Sequence, residues 1–379
     1  MKDIWRIKLL SGINRLIPKK INQIAIYGRR MLNDNSAALL DYLIKEGYNA
    51  KYTIKVCLAP NVPHEDYLNI LNVEIVTNPL KTFYTLFNSM CMFHAQGMTT
   101  CAVIPCGKQV VFNLWHGSPL KSIGVAAGDK WYPETDSYFL CASPFMANLN
   151  KKCFLINDKQ VFIGSNPRND LLFSKSENLY LKKLKGNKKV VLYMPTFRNS
   201  TELGRSDSHG DFPILSLDNI GDFDNFLEYK NILFIIKPHP YQNDIELFNE
   251  KYNNIVVLKN EDLGVMKLPL YELLGQSDAL ISDFSSVYFD YMLLDKPIGF
   301  VIEDMNDYGS SRGFTVDRPL DLMPGNKINN LADLKKFILN VSEGVDLYKD
   351  DRRKINDLCN TYKTPDASKR ILDFLGIKK

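Results

Sequence analysis

Beyond residue 20 the chain alternates short apolar runs with helix-like segments. A chain of alternating strands and helices buries its apolar faces as parallel sheets built from βαβ units. The apolar runs predict strands at 22–27, 52–58, 73–77, 101–104, 109–114, 137–141 and 160–164, with helices at 35–46, 79–92 and 144–153. Ser143 reads as the cap of the last of these helices, and Pro144 suits its first turn. A polar stretch at 165–188, holding Pro167 and Gly186, interrupts the pattern and marks a domain boundary. A second alternation follows, with strands at 189–194, 231–236, 255–258, 279–282 and 298–301. Its helices are predicted at 218–229, 243–251, 269–276, 285–294, 331–342, 350–361 and 366–375. Residues 199–213 and 303–327 read as surface loops. The expected fold class is α/β, with domains at 21–175 and 176–379, and 379 residues suffice for two separate cores.

Charge narrows the function. The formal net charge is +4, too small for a protein whose affinity rests on a nucleic-acid backbone, so no nucleic acid is expected as a partner. Residues 1–20 carry +5, which leaves the remainder at −1. This segment interleaves Ile4, Trp5, Leu9, Ile13, Leu16 and Ile17 with Lys2, Arg6, Lys8, Arg15, Lys19 and Lys20. Helical spacing groups most of the apolar positions on one side, the make-up of an interfacial helix drawn to anionic lipid. Lys2 and Arg6 interrupt that arc and Gly12 weakens the helix, so a helix packed on its own domain with a solvated basic face fits equally. No run approaches the length of a membrane span, and no export signal is legible. Seven scattered cysteines without zinc spacing read as reduced core thiols of a cytosolic protein.

In open α/β sheets ligands bind beyond the carboxyl ends of the strands, so the strands that end in reactive side chains mark the site. Four do. One runs into Trp115, His116, Gly117 and Ser118, and another into Pro195, Thr196, Phe197 and Arg198. A third runs into Lys237, Pro238, His239 and Pro240, and the last into Asp283, Phe284, Ser285 and Ser286 at the start of a helix. A helix start favours an anion such as phosphate, and two serine hydroxyls add donors, although Asp283 or Ser285 suits a plain helix cap equally. Arg198 can grip phosphate oxygens with its planar fork, and His239, stiffened between prolines, can donate an imidazole N–H to the same group. Together these residues describe a diphosphate cradle. His116 could take a proton from an attacking hydroxyl near neutral pH, or be held by local hydrogen bonds; His64, His94 and His209 take the latter reading. There is no P-loop, no GxGxxG turn and no cluster suggesting a catalytic metal, so no cofactor or metal is expected.

Five strings carry a resemblance: LWHGSPLK at 114–121, GSNPRND at 164–170, PTFR at 195–198, KPHP at 237–240 and SDFSSVYFDYMLLDKP at 282–297. They occur in the order seen in the CDP-glycerol glycerophosphotransferases, the teichoic acid primases and polymerases. Asp34-Asn35-Ser36, Arg312-Gly-Phe314 and Pro324-Gly325 resemble the family pattern too. The resemblance implies a GT-B-like architecture of two Rossmann-like domains facing a central cleft, acceptor on the first and CDP-linked donor on the second. It makes His116 the base and puts Arg198 and His239 on the donor diphosphate. Ser285 and Ser286 would complete the phosphate site, with Lys237, Asp283, Thr196, Gly117 and Ser118 as further substrate contacts. It also implies a lipid-linked acceptor at the inner membrane face, with residues 1–20 as the peripheral membrane contact. The length resembles compact primase-type members more than long polymerases.

The expected reaction transfers glycerol phosphate from CDP-glycerol to an acceptor hydroxyl, with release of CMP, in teichoic acid or capsule-like polymer synthesis. CDP-ribitol as donor, a GT-B glycosyltransferase using a nucleotide sugar, and a non-catalytic membrane-bound scaffold are the alternatives. Oligomeric state is open, a homo-oligomer included.

Overall fold

The structure is a computed structural model that describes residues 2–28, 32, 34–196, 199–200, 205–206, 214–239, 251–311 and 313–379. The chain forms two compact units. The first takes the residues up to Ser118 together with Gly128–Asp170 and Thr361–Lys379; the second takes Pro119–Ala127 and Leu171–Asn360.

The first unit is a seven-stranded parallel sheet in the order β3-β2-β1-β4-β5-β6-β7. Its strands are β1 (Lys20–Gly28), β2 (Thr53–Leu58), β3 (Val73–Val76), β4 (Ser89–His94), β5 (Val110–Asn113), β6 (Tyr138–Cys141) and β7 (Val161–Ile163). Helices α1 (Lys2–Leu16), α2 (Asp34–Lys45), α3 (Pro79–Asn88) and α4 (Pro144–Phe154) belong to it. Both faces are covered, which is why its strands read as nearly unbroken apolar runs. Ile24 and Ile26 of β1 point to the face that packs Leu39, Leu40 and Leu43 of α2. Ala25 and Tyr27 point to the opposite face, with Leu86 and Phe87 of α3 and Ile7 of α1.

Two expected elements differ. The helix predicted at 79–92 stops at Asn88 and gives way to β4, which pairs with β1 at the centre of the sheet. The strand predicted at 101–104 does not form: a 3₁₀ turn, Thr99–Cys101, leads into irregular backbone over 102–104. The reason lies in the apolar run of residues 90–93, which fits a buried strand as well as a helix. In β4, Cys91 and Phe93 enter the core on one face and Met92 the core on the other.

The second unit is a six-stranded parallel sheet in the order β12-β11-β8-β13-β14-β15. It contains β8 (Lys189–Tyr193), β11 (Ile232–Ile236), β12 (Ile255–Val257), β13 (Ala279–Ser282), β14 (Ile298–Val301) and β15 (Asn326–Ile328). Between the first two, β9 (Asn199–Ser200) and β10 (Arg205–Ser206) pair as a small antiparallel ladder. Its helices are α5 (Leu179–Lys185), α6 (Leu217–Tyr229), α7 (Asn260–Val265), α8 (Leu270–Gln276), α9 (Val287–Tyr291), α10 (Met305–Ser311), α11 (Leu331–Glu343) and α12 (Lys349–Cys359). Phe223 and Leu227 of α6 and Phe337 and Ile338 of α11 pack on Val191, Phe234 and Ile281 of the sheet. Helix α10 and the start of the edge strand β15 fall in the stretch expected to be a loop, and α5 in the stretch expected to mark the domain boundary. The helix predicted at 243–251 falls, but for residue 251, outside the described residues.

In both units the strand order runs outward from the first strand in two directions, the doubly wound Rossmann pattern. Its switch point falls between β1 and β4 in one sheet and between β8 and β13 in the other.

The last helix, α13 (Ala367–Phe374), returns to the first unit, whereas the sequence placed 176–379 in one domain. Ile371 and Leu372 enter the core beside α2. The Asp170 carboxylate accepts the Ala367 and Ser368 N–H groups at 2.9 and 3.2 Å, capping the helix from a distant loop. Asp170→Ala should lower stability by about 1–2 kcal/mol, the usual worth of a cap, measured by urea unfolding; an unchanged midpoint would show that the cap is idle.

Candidate active site

The turn after β5 holds His116, half-buried, with its ring Nδ1 2.9 Å from the Ala95 carbonyl. A carbonyl only accepts, so Nδ1 carries the proton and Nε2 keeps its lone pair in the neutral ring. Burial lowers the imidazole's affinity for a second proton, and the bond to Ala95 and the nearby Asp34 only partly oppose this. The neutral form is therefore the resting form at neutral pH.

The backbone of this turn is in an unusual conformation. Trp115 lies at φ 47°, costly for a bulky side chain, and Gly117 at φ 138°, where a residue without Cβ is favoured. Such strain costs on the order of 1–3 kcal/mol and persists only when its surroundings hold it. Here they do. Asn35 Nδ2 donates to the Leu114 and Trp115 carbonyls at 3.1 and 2.9 Å, and Arg168 Nη1 donates to the His116 carbonyl at 2.9 Å. Asn113 Oδ1 accepts the Trp115 N–H at 2.9 Å. Arg168 also pairs with Asp34, and its own N–H donates to Asn35 Oδ1 at 3.2 Å. Ser118, next along, is buried.

His94 ends the neighbouring strand β4 with the opposite tautomer. Its Nδ1 accepts the Gly97 N–H at 3.2 Å and its Nε2 donates to Asp136 at 2.9 Å. Asp136 also accepts from Asn113 Nδ2 at 2.9 Å. This closed arrangement fits the structural role expected for His94, and it orders the loop whose Ala95 carbonyl holds His116.

In the second unit, β11, β8 and β13 are adjacent and parallel, with Ile236 and Ile281 both in register with Tyr193. The segments carrying KPHP, PTFR and DFSS therefore leave the same edge of three neighbouring strands. At the switch point, Asp283 is fully buried and its Oδ2 accepts the Thr196 N–H and hydroxyl at 2.7 and 2.9 Å. Its Oδ1 accepts the Ser285 N–H at 3.2 Å. Both oxygens are thus engaged within the protein, fastening the end of β8 to that of β13. Ser285 and Ser286 are half-buried ahead of α9, and the Ser286 hydroxyl makes no capping bond.

The helix predicted at 285–294 is shorter, one α turn followed by a 3₁₀ turn at Met292–Leu294. It is secured from α12, where Asn356 donates to the Met292 carbonyl at 3.1 Å and Asn360, just past the helix, to the Phe289 carbonyl at 2.8 Å. Lys237 is buried with its ammonium 3.1 Å from the Pro238 carbonyl, and burial lowers its pKa. His239 is half-buried. Arg198 and Arg312 lie outside the described residues.

The remainder of the LWHGSPLK string belongs to the second unit. Thr315 N–H donates to the Leu120 carbonyl and Ser122 N–H to the Gly313 carbonyl, at 2.9 and 3.0 Å. Lys121 lies over the Tyr308 ring at 5.8 Å, and that ring packs on Phe284 of the DFSS segment at 4.7 Å.

A model of the CDP-Glycerol:Poly(glycerophosphate) glycerophosphotransferase family matches residues 10–376. The chain belongs to this family. Among the similar proteins is the teichoic acid glycerol-phosphate primase of Bacillus subtilis strain 168, 26% identical over 90% of this chain and 88% of that one. Another is the teichoic acid ribitol-phosphate primase of Bacillus spizizenii, 27% identical over 72% of this chain and 71% of its own length. In fold the chain resembles the wall teichoic acid polymerase TagF in a CDPG-soaked crystal, with TM-score 0.73, 20% identity and coverage of 98% and 92%.

Asp34, Asn35 and Arg168, which hold the His116 turn, stand in strings that carry the resemblance, but local reading assigns them no role. Asn35 and Arg168 are buried, and their partners lie 52 to 134 residues away in the chain, which local pattern reading does not reach.

Proposed function

We propose that this protein transfers glycerol phosphate from CDP-glycerol to a hydroxyl of a lipid-linked glycan or polyol-phosphate acceptor, releasing CMP. The observation that carries the reading is the Nδ1–H bond from His116 to Ala95, which leaves a neutral Nε2 free to accept a proton. The acceptor oxygen attacks the β-phosphorus as its proton passes to Nε2, and the bond from that phosphorus to the bridging oxygen breaks, its electron pair leaving with CMP. Phosphoryl transfer of this kind depends on position and charge stabilisation rather than on covalent help. In this reading Arg198, Lys237 and His239 supply positive charge and donors to the departing phosphate, and Ser285 and Ser286 add hydroxyl donors. Asp283 and Thr196 act as framework for this cradle. Gly117 gives the His116 turn its shape.

CDP-ribitol is the nearest competing donor, favoured by the ribitol-phosphate primase among the relatives. His116→Ala should retain donor binding in calorimetry while CMP release falls by roughly 10²–10⁴-fold, the range for loss of a general base. Release should be faster from CDP-glycerol than from CDP-ribitol in the unsubstituted protein. Full activity of the variant would remove the base, and a preference for CDP-ribitol would reassign the donor.

A peripheral membrane position, on the cytoplasmic face in this reading, is supported by α1. Ile7 enters the core while Trp5, Leu9 and Leu16 are 72, 68 and 83% exposed, with Ile13 beside them. Lys8 and Arg15 flank that stripe and are exposed. Among the described residues no helix is long and apolar enough to cross a membrane. An exposed apolar stripe edged by basic residues suits the surface of an anionic bilayer. Trp5→Asp with Leu9→Asp should abolish co-sedimentation with vesicles containing phosphatidylglycerol; undiminished binding would place the membrane contact elsewhere.

A further inference from the structure

Helices α1 and α3 cover one face of the first sheet and share an outer side. Ile7 of α1 and Leu86 and Phe87 of α3 enter the same core, with Leu10, Ile17 and Phe83 packed at its margin. Lys19, just past α1, donates to the Phe87 carbonyl at 2.6 Å and so ties the ends of the two helices together. Because both lie on one face of the sheet, the side of each that points away from the sheet points the same way. On α3 that side holds Leu80 and Tyr84, one turn apart and 80 and 57% exposed, with the exposed Lys81 beside them. Thr82, Thr85 and Leu86 of the same helix are buried, so the helical period itself turns Leu80 and Tyr84 outward. Neither side chain contributes to the core. With Trp5, Leu9, Ile13 and Leu16 of α1 they make an exposed apolar side of the kind that marks a contact surface. Its charge has one sign. The two helices contain a single acid, Asp3, which is paired with Arg6 at 3.2 Å, whereas Lys8, Arg15 and Lys81 are exposed. A second copy of the chain is a poor occupant, because a two-fold pairing through this side would set these cations against themselves. An anionic bilayer supplies both an apolar phase and the opposite charge.

We propose that α1 and α3 form one seat for an anionic lipid surface, with Leu80 and Tyr84 entering the interface next to the α1 stripe and Lys81 meeting the headgroups. The assignment of α3 rests on the peripheral-membrane position of the chain and extends it to a second helix. The seat reaches the edge of the sheet that carries His116. Asp3 and Arg6, at the start of α1, border a cavity together with His94, Gln96 and Gly97 at the end of β4, the strand next to β5. A bilayer on this side therefore runs along the helices to the edge where a lipid-linked acceptor has to be presented.

The test is co-sedimentation of the full chain with phosphatidylcholine vesicles containing phosphatidylglycerol, alongside sedimentation velocity without lipid. Leu80→Asp with Tyr84→Asp should weaken vesicle binding roughly tenfold or more, the worth of withdrawing part of two apolar side chains from lipid. Leu68→Asp with Leu71→Asp makes the same charge change in a segment whose Tyr67 and Ile70 pack on the opposite face of the sheet. With charge at that distance screened by salt, this control should bind within about twofold of the parent. All four positions are exposed, so both variants should fold, which an unchanged urea midpoint checks. Parent-like binding by the α3 variant, or an equal loss in the control, would overturn the seat. So would a loss of self-association by the α3 variant with vesicle binding kept, which would make this side a contact between copies. If Trp5→Asp with Leu9→Asp abolishes binding while the α3 variant keeps it, only the share of α3 falls. If the parent itself fails to bind the vesicles, the peripheral-membrane reading falls, and the seat with it.

Discussion

The hydrogen bond from His116 Nδ1 to the Ala95 carbonyl fixes what the turn after β5 can do chemically. It selects the tautomer, sets the ring's orientation and, with burial, keeps the imidazole uncharged. The backbone around it is costly to hold, with Trp115 at positive φ, and the surrounding groups offset that cost by occupying three successive carbonyls. Asn35 reaches two of them from α2 and Arg168 the third from the stretch after β7. The backbone of the turn is over-determined in the sense that a preorganised site requires: several bonds hold it, and the bond to Ala95 then orients the ring.

The second sheet achieves an equivalent result by different means. Its switch point is fastened by Asp283, which binds both donors of Thr196 and the Ser285 N–H. A fully buried carboxylate is stable only when its oxygens are so occupied. The outcome is a fixed edge from which three strands release the segments PTFR, KPHP and DFSS. The parallel topology is what makes this possible, because only parallel strands bring successive carboxyl ends to one side.

Much of this was legible in the sequence because the signals were local. An apolar run followed by Trp-His-Gly or by Lys-Pro-His announces both a strand and its reactive end. The order of the five strings identified the family. The misreadings have physical causes. Residues 90–93 are apolar at every position, since β4 is buried on both faces, so no period separates strand from helix. The stretch 165–188 is polar and reads as a domain boundary, yet Asn166, Arg168 and Asn169 within it are buried in the first unit. Arg168 donates to the distant His116 carbonyl and Asn166 accepts from the distant Asn35 side chain, so their polarity serves internal bonds rather than solvation. Helix α13 was assigned to the wrong unit because an amphipathic face shows that a helix packs, but not on which sheet.

What His116 can do rests on the place of one proton, and nitrogen NMR of the imidazole-labelled full chain reads that place directly. The His116 signals, assigned by their loss in His116→Gln, should show Nδ1 protonated and Nε2 bare at pH 7, titrating below the ordinary histidine value of about 6.5. A proton found on Nε2 with Nδ1 bare, or a ring already doubly protonated at pH 7, would contradict the account.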